Sequence, residues 1–269
     1  MSVTYPLGFR AGGIQAGLRT TPGLDLALIV NDGPADVVAG VFTTNRVCAA
    51  PVQWSRHVTA DHKARAVIVN AAVANACTGI DGFADCDITF SRVDSDACMS
   101  TNDTVVAMAS GASGISLTGD ELTDALTELC AILARQLVAD AEGSHHDVKV
   151  TVTGAISTEA AVAVAREVTR SNLVKTAIAG NDPNWGRILA AIGCVPENVA
   201  PFDPDQVDVS INDIQICKAG GIGEDRNLVD MRPREVHIDI ELHAGDAEAA
   251  VWTNDLTHQY VEENSAYTS

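Results

Sequence analysis

The chain has 269 residues, 46% hydrophobic and 20% charged, which is enough apolar content for a sizeable core and excludes a disordered chain. Its 17 Lys plus Arg face 36 Asp plus Glu, a net charge of -19, so phosphate backbones and anionic lipid heads are repelled and neither nucleic acid nor a membrane is expected as partner. Seven widely spaced cysteines without a Cys-x-x-Cys pair, no secretory leader and no run of ~20 apolar residues point to a soluble protein of a reducing cytoplasm, with no metal and no cofactor.

In chain order, the apolar runs LALIV (26–30), VVAGVFT (37–43) and AVIVN (66–70) read as strands of one sheet. The turn residues Asn31-Asp32-Gly33-Pro34 predict a hairpin between the first two. Leu122, Ala125, Leu126, Leu129, Leu133 and Leu137 recur at helical spacing, and Thr118 with Glu121 is a capping-box start, which predicts a helix over 119–140. Val148, Val150 and Val152 alternate with polar residues as in a half-buried strand.

Ser157 opens an Ala-rich second helix running to Ser171. A third helix is expected from Asp182-Pro183 to Gly193, with Asp182 as cap and Trp185 buried. Three alternating strands follow, at 207–211, 214–216 and 236–242, with a wet face of Asp208, Ser210, His237, Asp239, Glu241 and His243. Together these predict a layered α/β fold with mixed or antiparallel sheets, a β-rich part at 1–85 and an α/β part at 86–269, forming one compact unit.

Chemistry could sit in four places. The segment Asn70–Gly79, with Asn75, Cys77 and Thr78, is either a substrate-fixing loop or an Asn-capped turn. STNDT (100–104), with Thr101 and Asn102, is either a polar pocket wall or a cap. Asp140, Glu142, His145 and His146 crowd the end of the long helix, where negative charge is unfavourable unless a cationic amine or solvent meets it. GNDPNWGR (180–187) combines Asp182, Asn184, Trp185 and Arg187 at a helix start, a composition suited to a carboxylate or acyl oxygen, or to a plain structural turn.

From TYPLGFRAGGIQAGL through LALIVNDGPA, GVFTTNRVCAAPV, RAVIVNAAVANACTG, TFSRVDSDACMSTNDTV, DAEG and DPNWGR to ENSAYTS, the chain resembles the bifunctional ornithine acetyltransferase and glutamate N-acetyltransferase family of arginine biosynthesis. The resemblance implies that family's fold, a homo-oligomer, and acetyl transfer from N-acetylornithine to glutamate through an acetyl-Thr enzyme, releasing ornithine. It places Glu142 at the substrate amine and Asn264 and Ser269 over its amino-acid end. Asn75, Thr101, Asn102, Asp182 and Asn184 are further pocket residues.

The family's middle segment, which carries the oxyanion-hole Thr-Gly pair, a substrate-binding Lys and the self-cleaving Ala-Thr bond, has no counterpart between NACTG and TFSRVDSD, and no Ala-Thr dipeptide occurs in the chain. Ala71-Ala72 stand where the family favours Ser-Gly, and Ser144-His145-His146 follow DAEG where it favours Thr-Lys. Two readings follow: an acetyltransferase impaired by the loss, or a non-catalytic binding or partner protein that keeps the pocket rim.

Overall fold

The computed structural model describes residues 2–18, 22–70, 92–95, 99–117 and 119–266. They group into two compact units, one built from the chain up to 70 and again from 99 to 127, the other from 92–95 and from 128 onward.

In the first unit β1 (Phe9–Ile14), β2 (Leu26–Asn31) and β4 (Ala66–Asn70) form an antiparallel sheet in the order β1-β2-β4. β3 (Val37–Phe42) pairs instead with β5 (Thr104–Ala109) in a separate antiparallel ribbon. The expected single sheet and the expected hairpin between 26–30 and 37–43 are therefore both corrected.

The reason lies in the connecting turn. Asn31 folds back locally, accepting from the Gly33 N–H at 3.0 Å and donating to the carbonyls of Ala35 (3.0 Å) and Ala109 (3.3 Å). The turn thus steers the chain out of one sheet toward β5, and a Cβ on Gly33 would fall 2.4 Å from the Ser110 carbonyl oxygen. Helix α1 (Ala50–Val58) buries Val52 with Cys48, Ala49 and the flank of Phe42, over whose ring the Arg56 guanidinium stands at 5.5 Å.

Helix α2 (Gly119–Ala139) matches the helix expected over 119–140, while its predicted capping residue, Thr118, lies outside the described residues. Its second half buries Cys130, Ala134 and Val138, whereas Leu122 and Leu129 in the first half remain 48% and 38% exposed.

The second unit is a six-stranded mixed sheet in the order β11-β6-β10-β7-β8-β9. Its strands are β6 (Asp147–Ala155), β7 (Asp208–Ile211), β8 (Ile214–Lys218), β9 (Gly221–Ile222), β10 (Glu235–Glu241) and β11 (Ala247–Asn254). β6 and β10 run parallel and all other neighbours antiparallel. Alternation decides the faces: Val148, Val150, Val152, Val236, Ile238 and Ile240 are buried, and each such side chain contributes roughly 1.5–3 kcal/mol of burial. The intervening Lys149, Thr151, His237, Asp239 and Glu241 are only partly covered, which is the expected wet face. Cys217 is buried on β8, and burial, aided by Asp208, pushes its thiol up.

Helix α3 (Thr158–Arg170) packs across β6 and β11 through Ala161, Val164, Ala165 and Val168. Ser157 caps it by accepting from the Ala160 N–H, and Glu159 is held below the ordinary carboxylate range by its own backbone N–H and then by the Ser157 hydroxyl. Ser171 ends α3 and at once caps α4 (Asn172–Ala179), a helix not expected from periodicity.

The third expected helix, α5, spans Trp185–Ile192. Asn184, not Asp182, is its cap, accepting from the Arg187 N–H at 3.2 Å. Asp182 belongs to the preceding helix end: Asn181 takes φ 53°, its N–H bonds Ile178, and the Asp182 N–H bonds Ala177, the hydrogen-bond pair of a Schellman motif. Trp185 is partly buried against the core rather than enclosed by it. Near the end of the described residues lies one more helix, α6 (His258–Ser265), capped by Thr257.

Among the described residues no helix is long and apolar enough to cross a membrane, and no group of three His, Cys, Asp or Glu side chains is arranged to hold a metal.

Candidate functional site

The densest set of buried polar groups in the second unit holds the turn that follows α2. Asp255 is 3% exposed, and its Oδ1 accepts the backbone N–H groups of His145 (2.9 Å) and His146 (3.1 Å) while its Oδ2 meets His146 Nδ1 at 2.8 Å. The other ring nitrogen, Nε2, lies 3.0 Å from the Met231 carbonyl oxygen, which can only accept. Asn254 donates to the Val138 carbonyl (2.7 Å) and to Ser144 Oγ (2.9 Å), and accepts from Ser95 Oγ (2.6 Å). Thr257 donates to the Gly143 carbonyl at 2.6 Å and accepts the Tyr260 N–H at 3.0 Å.

These bonds press the turn onto the first turn of α6. Gly143 sits at φ 60°, and a Cβ there would come 2.3 Å from the Tyr260 nitrogen, so only glycine fits. Glu142 is thereby fixed through its backbone, with an exposed side chain that has no hydrogen bond to the described residues. The adjacent His145 and His146 do point apart, one to solvent beside Gln259 and one into the core.

Beneath this turn, Lys175 is buried, its Nζ donating to the Ser95 carbonyl and to Thr253 Oγ1. Thr253 in turn donates to the Asp94 carbonyl at 2.6 Å. Asp94, 1% exposed, accepts from Arg170 Nε at 2.8 Å and from Thr169 Oγ1 at 3.3 Å. Segment 92–95 is thus tied to β11, where Val93 bridges Trp252 in parallel.

Beside this network an open cavity of about 860 Å³ lies between the end of α4 and α6, lined by His145, Thr176, Gly180, Thr257, Gln259 and Glu263 among others. The Gln259 amide donates to Glu263 Oε1 at 2.7 Å. Asn264 is not in the lining: it is exposed on α6 and donates to the carbonyl of Tyr260, one turn back, at 3.0 Å. Asp182 and Asn184 occupy the α4–α5 turn, where the Asn184 amide donates to Asp182 Oδ2 at 2.9 Å and Arg226 approaches Asp182 at 3.7 Å. Arg187, a cation that could have met a carboxylate, donates to the Leu173 carbonyl at 2.7 Å.

Thr101 and Asn102 belong to the first unit. Thr101 Oγ1 donates to Asn102 Oδ1 at 2.5 Å, and this loop docks on Thr43 and Asn45 through the carbonyls of Ser100 and Met99. Asn75, Cys77, Thr78 and Ser269 lie outside the described residues.

What sequence reasoning missed is the run Thr253-Asn254-Asp255 with Thr257, and the buried Lys175. The available signal was three successive polar residues directly after the apolar run AAVW (249–252).

Comparison with known proteins decides the lineage. The ArgJ family model matches residues 10–89 and 84–269. The chain belongs to the ArgJ family. The arginine biosynthesis bifunctional protein ArgJ of Bifidobacterium longum is 40% identical over 391 aligned positions, which cover 100% of each chain. Its counterpart in Streptomyces coelicolor is 38% identical over 386 positions, again covering 100% of each. In structure, the chain resembles the arginine biosynthesis bifunctional protein argJ of Bacillus halodurans with a TM-score of 0.61, at 35% identity over 67% of this chain and 88% of that one. The mixed α/β architecture is therefore an ArgJ-family fold. Both matched stretches meet at residues 84–89, ahead of segment 92–95.

Proposed function

We propose that the chain is an acetyltransferase of arginine biosynthesis by descent, which keeps the amine-binding part of the family's site and lacks the middle segment that performs the chemistry. The observation that carries this reading is similarity running from one end of the relatives to the other while the alignment needs 391 positions for 269 residues. The family match falls in two pieces that meet at 84–89, which supports a loss at that point. A homo-oligomer in the cytoplasm, using N-acetylornithine, glutamate and ornithine and no cofactor, completes the reading.

Binding would fall to Glu142, whose carboxylate is exposed and uncommitted on a turn that Asp255, Asn254 and Thr257 hold rigid. A carboxylate in that state can meet a substrate ammonium without first breaking an internal ion pair. Within the same unit Asn264 would close over the amino-acid end, and Asp182 and Asn184 would contribute to the pocket wall. A purely binding protein is the second reading, favoured by the absence of any Ala-Thr dipeptide.

Calorimetric titration with ornithine and with N-acetylornithine tests the amine site. The chain is expected to bind ornithine, and Glu142→Gln to weaken it by roughly tenfold or more, since a charge-assisted bond contributes about 1.5–3 kcal/mol. An unchanged affinity in Glu142→Gln refutes the assignment. The chain should also run as one intact band on a denaturing gel. Two fragments, one beginning with Thr, would show that a self-cleaving junction survives.

A further inference from the structure

One face of the β1-β2-β4 sheet carries a contiguous group of exposed apolar residues, with the exposed Arg10 in the neighbouring row of the same face. The register places Gly12, Leu28 and Ile68 side by side, with Ile14 and Leu26 the next row along, and in antiparallel strands such rows point to the same face. Ile14, Leu28 and Ile68 are 59%, 45% and 63% exposed, and a Cβ built on Gly12 would meet open space. Single exposed apolar residues are ordinary, but a contiguous row across three strands marks a contact surface. Among the described residues no strand pairs with the outer side of β4, whose sequence AVIVN is itself a strong edge for strand addition.

We propose that this face docks a separate polypeptide carrying the family's middle segment, supplied in trans; this rests on the reading that the segment is missing from the chain. One observation selects that occupant. The family match breaks at 84–89, in the stretch that follows β4, so in the relatives the additional residues enter the chain shortly after the strand that forms this edge. A second copy of the same chain is the competing occupant, and a self-dimer through this face is an outcome of the test. The docked segment would cover Leu28 and Ile68, extend the sheet at β4, and restore to the assembly the chemical groups that the chain itself lacks.

The test is co-expression of the tagged full chain with the stretch of the Bifidobacterium longum relative that aligns with no residue here, read by native mass spectrometry and by hydrogen exchange. The expected result is a complex of one chain with one segment, with slowed exchange over 9–14, 26–31 and 66–70. Leu28→Asp and Ile68→Asp, each checked for an unchanged melting curve, should weaken it by about tenfold or more. No complex overturns the proposal, as does a complex indifferent to both substitutions, or a self-dimer of the chain alone that those substitutions abolish. Ornithine binding by the chain alone is measured separately. Docking lost with ornithine bound sinks only the docking proposal, and ornithine binding lost with docking intact sinks only the amine-site reading.

Discussion

Purified alone, the chain should transfer no acetyl group from N-acetylornithine to glutamate above the uncatalysed background. On the reading proposed above, acetyl transfer would use an N-terminal Thr whose own α-amine acts as base, and oxyanion donors for the tetrahedral intermediates. Removing one such donor typically costs about 100 to 1000-fold in rate, and removing a nucleophile on the order of a millionfold, so a chain without both would show nothing measurable.

The hydroxyls of the STNDT loop offer no substitute. Thr101 Oγ1 donates to Asn102 Oδ1, Thr104 Oγ1 donates to the Asn102 carbonyl at 3.0 Å, and Ser100 Oγ accepts the Asn102 N–H at 3.0 Å. Each is bound to its own loop, and among the described residues none is hydrogen-bonded to a histidine or carboxylate that could take its proton. An assay with both substrates, with intact-mass detection of an acetyl adduct, checks this. Turnover that Thr101→Val abolishes while the fold persists would mean that the nucleophile has been relocated.

The second large effect concerns stability. Asp255→Ala is expected to destabilise the second unit by about 3–5 kcal/mol, because it strands the His146 ring and two backbone N–H groups in a dry site. In a unit of this size that corresponds to a fall in melting temperature of about 10 °C or more. Asp255→Asn should cost much less: its oxygen still accepts the two backbone N–H groups, its amide donates to Nδ1, and Nε2–H still donates to Met231. Thermal denaturation of the two variants side by side separates these outcomes. Equal losses would show that shape, and not the hydrogen-bond pattern, decides the site. Because Asp255 holds the turn carrying Glu142, the Ala variant should also lose ornithine binding.

Elements with a local period were legible from residues alone. The leucines of α2, the alternating valines of β6 and the Ser-capped Ala-rich α3 carry their patterns within a single stretch, and the structure has them within a residue or two. The long series of family motifs likewise identified the lineage, since it depends only on residue order. Glu142 and Asn264 were named through that resemblance, and burial places neither in the core.

Pairing and charge placement were decided only in three dimensions. Nothing near Val37–Phe42 announces that its partner is Thr104–Ala109 rather than the strand just before it, because strand partners are chosen by which apolar faces can be covered together. Asp182 and Asn184 are both good caps by composition, and the Schellman closure of α4 takes the first into one helix end and leaves the second to begin the next. Lys175 and Asp255 look like surface residues in sequence. They are buried because partners contributed by residues 95, 145–146 and 253 hydrogen-bond them, and a charge leaves water only where tertiary contacts supply such partners.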